Sequence, residues 1–235
     1  MFSSEDKEII KYLFDKYPEE GCGLLVNKRG KSTWIPCENI AEDPEDIFII
    51  DPKDWARAED EGEIISVIHS HPTTSPELSM ADKVACENTK LPWYVVSPDS
   101  EEWVKYDPCG YKAPLIGRQW TWGSSDCWTL VIDYFAEKGL RVENWTRPKR
   151  SEEILTNGIF ERLIPRSNFV EIDDNREMIP GDLLLMKFTG PDPDHVAIYI
   201  GEQMVLHHMA GRLSSRDLYN QFLIDATVRR FRHAA

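Results

Sequence analysis

The apolar run Ile64-Ile65-Ser66-Val67-Ile68 leads straight into His69-Ser70-His71-Pro72. No other segment constrains the first half of the chain as tightly. A short run rich in β-branched residues, bounded by Gly62 and Pro72, reads as a buried strand. Side chains two apart on a strand share a face, so His69 and His71 leave its C-terminal end together. Ser79 then caps a helix read over Ser79–Asn88, with Asp82 in its first turn. The strand and helix thus bring two imidazoles and a carboxylate to one junction.

The flanking pattern is mixed. Residues 4–16 read as a helix capped by Ser3 or Ser4, with Ile9/Leu13 and Ile10/Phe14 as i, i+4 pairs. Cys22–Val26, Thr33–Pro36 and Ile47–Ile50 are strand candidates. Pro52–Glu61 is a helix stopped by Gly62, and Trp93–Ser97 and Trp103–Tyr106 are two more strands. Asp107–Gly117, with two prolines, two glycines and no period, is the linker candidate. Beyond it lie a helix over Ser125–Glu137, a second over Ser151–Leu163, and three strands, Asp182–Phe188, His195–Ile200 and Gln203–His208. The expected organisation is two domains, 1–113 of mixed α/β character and 114–235 with helices first and an antiparallel sheet after, α+β overall.

Charge follows the same division. Residues 1–113 carry 12 Lys and Arg against 24 Asp and Glu, and residues 114–235 carry 15 against 17. The total of −14 argues against nucleic-acid binding, which needs a basic face. No apolar run approaches the roughly 20 residues that span a bilayer, and the N-terminus shows no signal peptide. Five cysteines without a CxxC pair suit a chain made in a reducing cytoplasm with no disulfide framework.

Of six histidines, four fall in two chemical motifs. A catalytic zinc takes three protein ligands and keeps one open position; His69, His71 and Asp82 can supply the three. Ser79 can donate to a developing oxyanion, and Glu20, preceding a strand, can act as general base on a metal-activated water. The set Glu20-Gly21-Cys22-Gly23, His69-Ser70-His71-Pro72, Ser79 and Asp82 resembles the JAMM (MPN-type) metallopeptidase family. That resemblance implies zinc on His69, His71 and Asp82, with Glu20 as base and Ser79 assisting the oxyanion. Glu19 is a neighbouring alternative base, but the Glu-x-Cys-Gly spacing favours Glu20.

The second motif is Ser125-Asp126-Cys127, Pro180-Gly181-Asp182 and His195-Val196-Ala197-Ile198-Tyr199-Ile200-Gly201. Cys127 opens a helix, where the dipole and free N–H groups favour a thiolate, and a histidine base with an orienting third group completes such a site. These residues, over about 118–210, resemble the NlpC-type peptidoglycan cysteine peptidases, a papain-like family. The resemblance implies Cys127 as nucleophile, His195 as base and a third residue twelve positions on, His207. Trp128-Thr129 departs from the Ser-Gly often found after the cysteine, which bears on the substrate pocket. His207 and His208 point to opposite faces of a strand. A two-residue turn at Gly201-Glu202 sets His208 opposite His195 and a three-residue loop sets His207 there; family spacing favours His207.

The two modules in this order, with Trp128-Thr129-Leu130 and Leu206-His207-His208, resemble a family of tail tip proteins of lambda-like bacteriophages. That implies peptidoglycan stem peptides as substrates, other tail tip proteins as partners, synthesis in the host cytoplasm and the virion tail tip as a destination. A cytoplasmic housekeeping peptidase and an assembly factor with vestigial sites are the rival classes.

Overall fold

Residues 4–147, 153, 157–173 and 175–235 are described by the computed structural model, and the chain divides into two units, Met1–Lys112 and Ala113–Ala235. In the first, α1 (Ser4–Asp15) precedes β1 (Cys22–Lys28) and β2 (Lys31–Cys37). Arg29 and Gly30, both at positive φ, form the two-residue turn that suits the twist of a hairpin. Then come α2 (Pro52–Glu61), β3 (Glu63–Ser70), α3 (Met80–Thr89), β4 (Trp93–Ser97) and β5 (Glu102–Tyr106). The sheet order is β2-β1-β3-β4-β5. Only β3 and β4 run parallel, as expected of the one pair joined through a helix. One face packs Ile9 and Leu13 of α1 against Trp34, Ile68 and Val96. The other packs Ala58 of α2 and Cys86 of α3 over Leu24, Val67 and Val95.

One expectation is corrected here. Ile47–Ile50 is not a strand; its one β-bridge is the isolated pair Asn39 and Ile50. The Asn39 side chain replaces a ladder partner, donating to the Ile47 carbonyl and accepting from the Ile49 N–H at 3.0 Å each. Asp107–Gly117 lacks regular structure but is not free along its length. The Glu87 carboxylate of α3 accepts the N–H groups of Cys109, Gly110 and Tyr111 at 2.8–3.0 Å.

The second unit contains α4 (Cys127–Ala136), α5 (Ile159–Leu163), β6 (Phe169–Ile172), β7 (Leu183–Met186), β8 (His195–Gly201), β9 (Met204–His207), β10 (Ser215–Leu218), α6 (Gln221–Ala226) and β11 (Thr227–His233). Among the described residues its sheet has six strands, in the order β10-β9-β8-β7-β11-β6, all antiparallel. Leu183, Leu185, Val196 and Ile198 face α4, while Leu184, Met186 and Ala197 face Tyr219 and Leu223. The helix expected over Ser151–Leu163 is confined, within the described residues, to Ile159–Leu163, and 151–152 and 154–156 lie outside them. The strands β6, β10 and β11 add to the three expected. β11 escapes pattern reading because Arg229, Arg230, Arg232 and His233 fill an inner strand whose one fully buried side chain is Phe231.

Candidate active sites

In the first unit, β1 and β3 pair antiparallel with Cys22 opposite His69. That register carries Glu20, two residues before Cys22, to the end of β3. Ser70 locks it there: its N–H donates to the Gly21 carbonyl and its Oγ accepts the Gly21 N–H, both at 2.9 Å. A side chain at Gly23 would collide with the Trp34 ring and the Ile35 carbonyl, so the close packing of β1 on β2 excludes one.

His69, His71, Asp82 and Glu20 are all buried. His69 Nε2 lies 3.2 Å from His71 Nε2 and 3.3 Å from Asp82 Oδ1, and His71 Nε2 lies 3.4 Å from Asp82 Oδ2. Glu20 Oε1 is 3.7 Å from His71 Nε2. Asp82 is aimed by a capping box. Its Oδ2 accepts the Ser79 N–H at 2.8 Å while Ser79 Oγ accepts the Asp82 N–H at 3.1 Å, so the hydroxyl proton of Ser79 remains available. His71 Nδ1 faces the Ser75 carbonyl at 3.0 Å, which places its proton on Nδ1 and a lone pair on Nε2. The His69 ring is sandwiched by Phe48, stacked at 4.4 Å between centroids, and by the edge of Trp93.

These residues fit a divalent zinc. Ligands about 2.0–2.1 Å from a tetrahedral zinc stand about 3.3 Å from one another, and that is the spacing of the two Nε2 atoms and the Asp82 oxygens. Burial alone would raise the Asp82 carboxyl, but His69, His71 and Ser79 hold it far below the usual carboxylate range, so it is an anion. Burial pushes Glu20 up to about 8, opposed by His71 and reinforced by Asp82.

In the second unit, Asp126 caps α4. It accepts the Thr129 N–H at 2.9 Å while Thr129 Oγ1 accepts the Asp126 N–H at 2.7 Å. Cys127 is therefore the first helical residue; it packs in one core cluster with Val196, whose N–H, with that of Trp128, acts to lower the thiol pKa. Val196 follows His195 in β8, which is the described contact between the thiol and the histidine strand. Sequence reading missed Arg147. Its guanidinium grips Asp126 through Nε and Nη2 at 2.8 and 3.0 Å and lies 4.2 Å over the Trp145 ring.

The electrostatics correct one expectation. Burial, with Asp126 adding, pushes the Cys127 thiol up to about 12, against the Val196 N–H and Arg147. Burial, with His207 and His208 adding, depresses His195 to about 3. The resting site thus holds a neutral thiol and a neutral imidazole, because desolvation outweighs the helix terminus.

The β8–β9 hairpin turns through Glu202 and Gln203, both at positive φ, with a register shift between Tyr199 and Gly201. The two-residue turn together with this irregularity pairs His207 with Ala197, on the same face as His195. His195 Nε2 lies 3.3 Å from His207 Nδ1, and His207 Nε2 lies 2.8 Å from Asp217 Oδ2. His208 is fully buried and makes no contact with His195 of this kind. Asp182 of the Pro-Gly-Asp segment is structural: fully buried, it holds Arg232 of β11 at 2.7 and 2.8 Å.

Family models match both units. Residues 4–108 match the prokaryotic homologs of the JAB domain, and residues 117–232 match the NlpC/P60 family. The chain is 30% identical over 227 residues to tail tip assembly protein K of Escherichia phage N15, covering 96% of this chain and 92% of that one. It is 32% identical over 193 residues to tail tip assembly protein K of Escherichia phage lambda, covering 78% and 89%. Among solved structures, an NlpC/P60 family protein from Bacillus cereus is 15% identical, with 96% of this chain and 67% of that chain covered and a TM-score of 0.34.

Proposed function

The chain belongs to the family of tail tip assembly protein K of lambda-like phages, and on that premise we propose that it is a tail-associated peptidase with two hydrolytic sites. Cys127, His195 and His207 act on an amide bond of peptidoglycan stem peptides, near D-Glu and a diamino acid. Glu20, His69, His71, Ser79 and Asp82 act with zinc on a peptide or isopeptide bond. The chain is made in the host cytoplasm, meets other tail tip proteins there, and reaches the tail tip.

The observation that supports this reading is the histidine series His195–His207 on the strand whose Val196 packs with the helix-start Cys127. With His195 Nε2 turned to His207, its Nδ1 is the nitrogen left to take the thiol proton. Cys127 Sγ attacks the amide carbon as that proton moves to His195, and N–H groups at the start of α4 steady the oxyanion. The amine departs with the proton from His195, and water then opens the thioester, returning the proton to sulfur. A neutral resting pair means that proton transfer accompanies attack instead of preceding it.

In the first unit, zinc when bound supplies Lewis acidity and lowers the pKa of water toward about 7. His69, His71 and Asp82 would hold it, Glu20 would serve as the proton acceptor, and Ser79 would donate to a carbonyl oxygen. Purified muropeptides incubated with wild type, Cys127→Ala and His69→Ala test the division of labour. Wild type and His69→Ala should release a new amine and Cys127→Ala should not. Muropeptides left intact by wild type at stoichiometric protein would refute the thiol site.

A further inference from the structure

We propose that Asp217 is a positioning residue of the thiol site, fixing the tautomers of His207 and His195 in series so that His195 Nδ1 is left as the base. The inference rests on the peptidase reading of Cys127. Neither the family motif nor the sequence pattern singles out Asp217. It sits on β10, a strand of polar character at the sheet edge, where Ser215 pairs with His207.

Each link in the series dictates the next. The hydrogen bond to His207 holds the Asp217 carboxyl below its ordinary value, against burial, with Ser215 and Arg212 adding. An ionised carboxylate can only accept. Ser215 Oγ donates to the same Oδ2 at 3.1 Å, which fixes its direction. His207 Nε2, 2.8 Å away, must therefore carry a proton. When that is the only proton on His207, its Nδ1 offers a lone pair, and the facing nitrogen, His195 Nε2 at 3.3 Å, donates to it. One proton on Nε2 leaves His195 Nδ1 bare. Which nitrogen of an imidazole is free is set by the bond that the other makes, and here that rule operates twice.

Without Asp217, His207 can carry its proton on Nδ1 instead. It would then donate to His195 Nε2 and drive the His195 proton onto Nδ1, where the thiol proton has to go. A histidine held in the wrong tautomer keeps its place and loses its function.

The test uses the full chain with 15N-labelled histidine, and substitutions Asp217→Ala and Asp217→Asn. The Asp217 side chain is 41% exposed at the sheet edge, a site where small replacements are tolerated. Long-range proton–nitrogen spectra report which ring nitrogen of His195 is protonated, with no turnover required. Wild type should show His195 protonated on Nε2. Asp217→Ala should show a second population protonated on Nδ1, with kcat on the muropeptide about 10–100-fold lower, the usual range for loss of an orienting partner, and KM within about twofold. Asp217→Asn keeps the shape of the side chain, but its amide can donate to His207 Nε2, so it should show the same shift of tautomer and loss of kcat. An unchanged His195 tautomer in Asp217→Ala would overturn the proposal. If the wild type shows the expected tautomers but cleaves no muropeptide, the peptidase reading fails while the series stands.

Discussion

Arg147→Ala isolates a feature of the thiol site that no spacing rule would find. The guanidinium and the Asp126 carboxylate form a two-pronged pair with side chains 5% and 1% exposed. Removing one partner of a buried pair typically costs about 3–5 kcal/mol, because the other charge is stranded. Asp126 would keep the N–H groups of Gly123 and Thr129, so the lower end, about 3 kcal/mol, is expected. For a unit of this size each kcal/mol shifts Tm by roughly 3–5 °C, giving a fall of about 10–15 °C by calorimetry on the full chain. Asp126→Asn still caps α4 through its amide oxygen but removes the stranded charge. The double variant Asp126→Asn/Arg147→Leu should therefore melt well above Arg147→Ala. The same single variant should slow alkylation of Cys127, since Arg147 holds that thiol down. A single variant melting within about 2 °C of wild type, or a double variant melting lower than the single, would refute the argument that the pair anchors the helix start.

The zinc-type site was legible because its ligands are local. His69, His71, Ser79 and Asp82 lie within one strand–helix unit, and strand period and helix capping place them without long-range knowledge. Glu20 needed the family spacing, because its approach depends on β1 pairing with β3 and on the Ser70 clasp, neither of which leaves a periodic trace. In the thiol site the ends of helix and strand were readable, but the choice between His207 and His208 turned on the register shift between Tyr199 and Gly201, which depends on the local path of the hairpin. Arg147 and Asp217 were invisible for a common reason. Each is a polar residue in a segment without amphipathic pattern, and its meaning comes from a partner 21 or 10 positions away. The thiol's charge state was misjudged because helix position is a local property whereas desolvation is set by the whole second unit.

Carefully prepared protein should hold about one zinc per chain by elemental analysis, with Asp82→Ala losing it and Glu20→Gln keeping the metal while losing activity; no metal in the native protein would refute the ligand assignment. Fragments cut near residue 113 should each melt cooperatively, and proteolysis should nick after Tyr111 instead of before it, because Glu87 secures 109–111; fragments without a melt would show that the units depend on each other. His207→Ala should slow muropeptide turnover more than His208→Ala, and the reverse order would reassign the orienting residue. Alkylation should reach exposed Cys109 before Cys127, and with its thiol pushed up to about 12 the Cys127 rate should climb through pH 7–10 without levelling, since only the thiolate attacks; a plateau near neutral pH would reveal a preformed ion pair. The depressed His195 makes the matching claim about stability. A base whose folded pKa lies near 3 and whose unfolded value is about 6.5 stays neutral in the fold while the unfolded chain takes up a proton. Its contribution is complete above about pH 6.5 and is lost as pH falls toward 3. The melting temperature of the second unit should fall across that window, and His195→Gln, of similar polarity but unable to titrate there, should flatten the fall; an equal slope in the two proteins would mean that His195 is charged, or solvated, in the folded state.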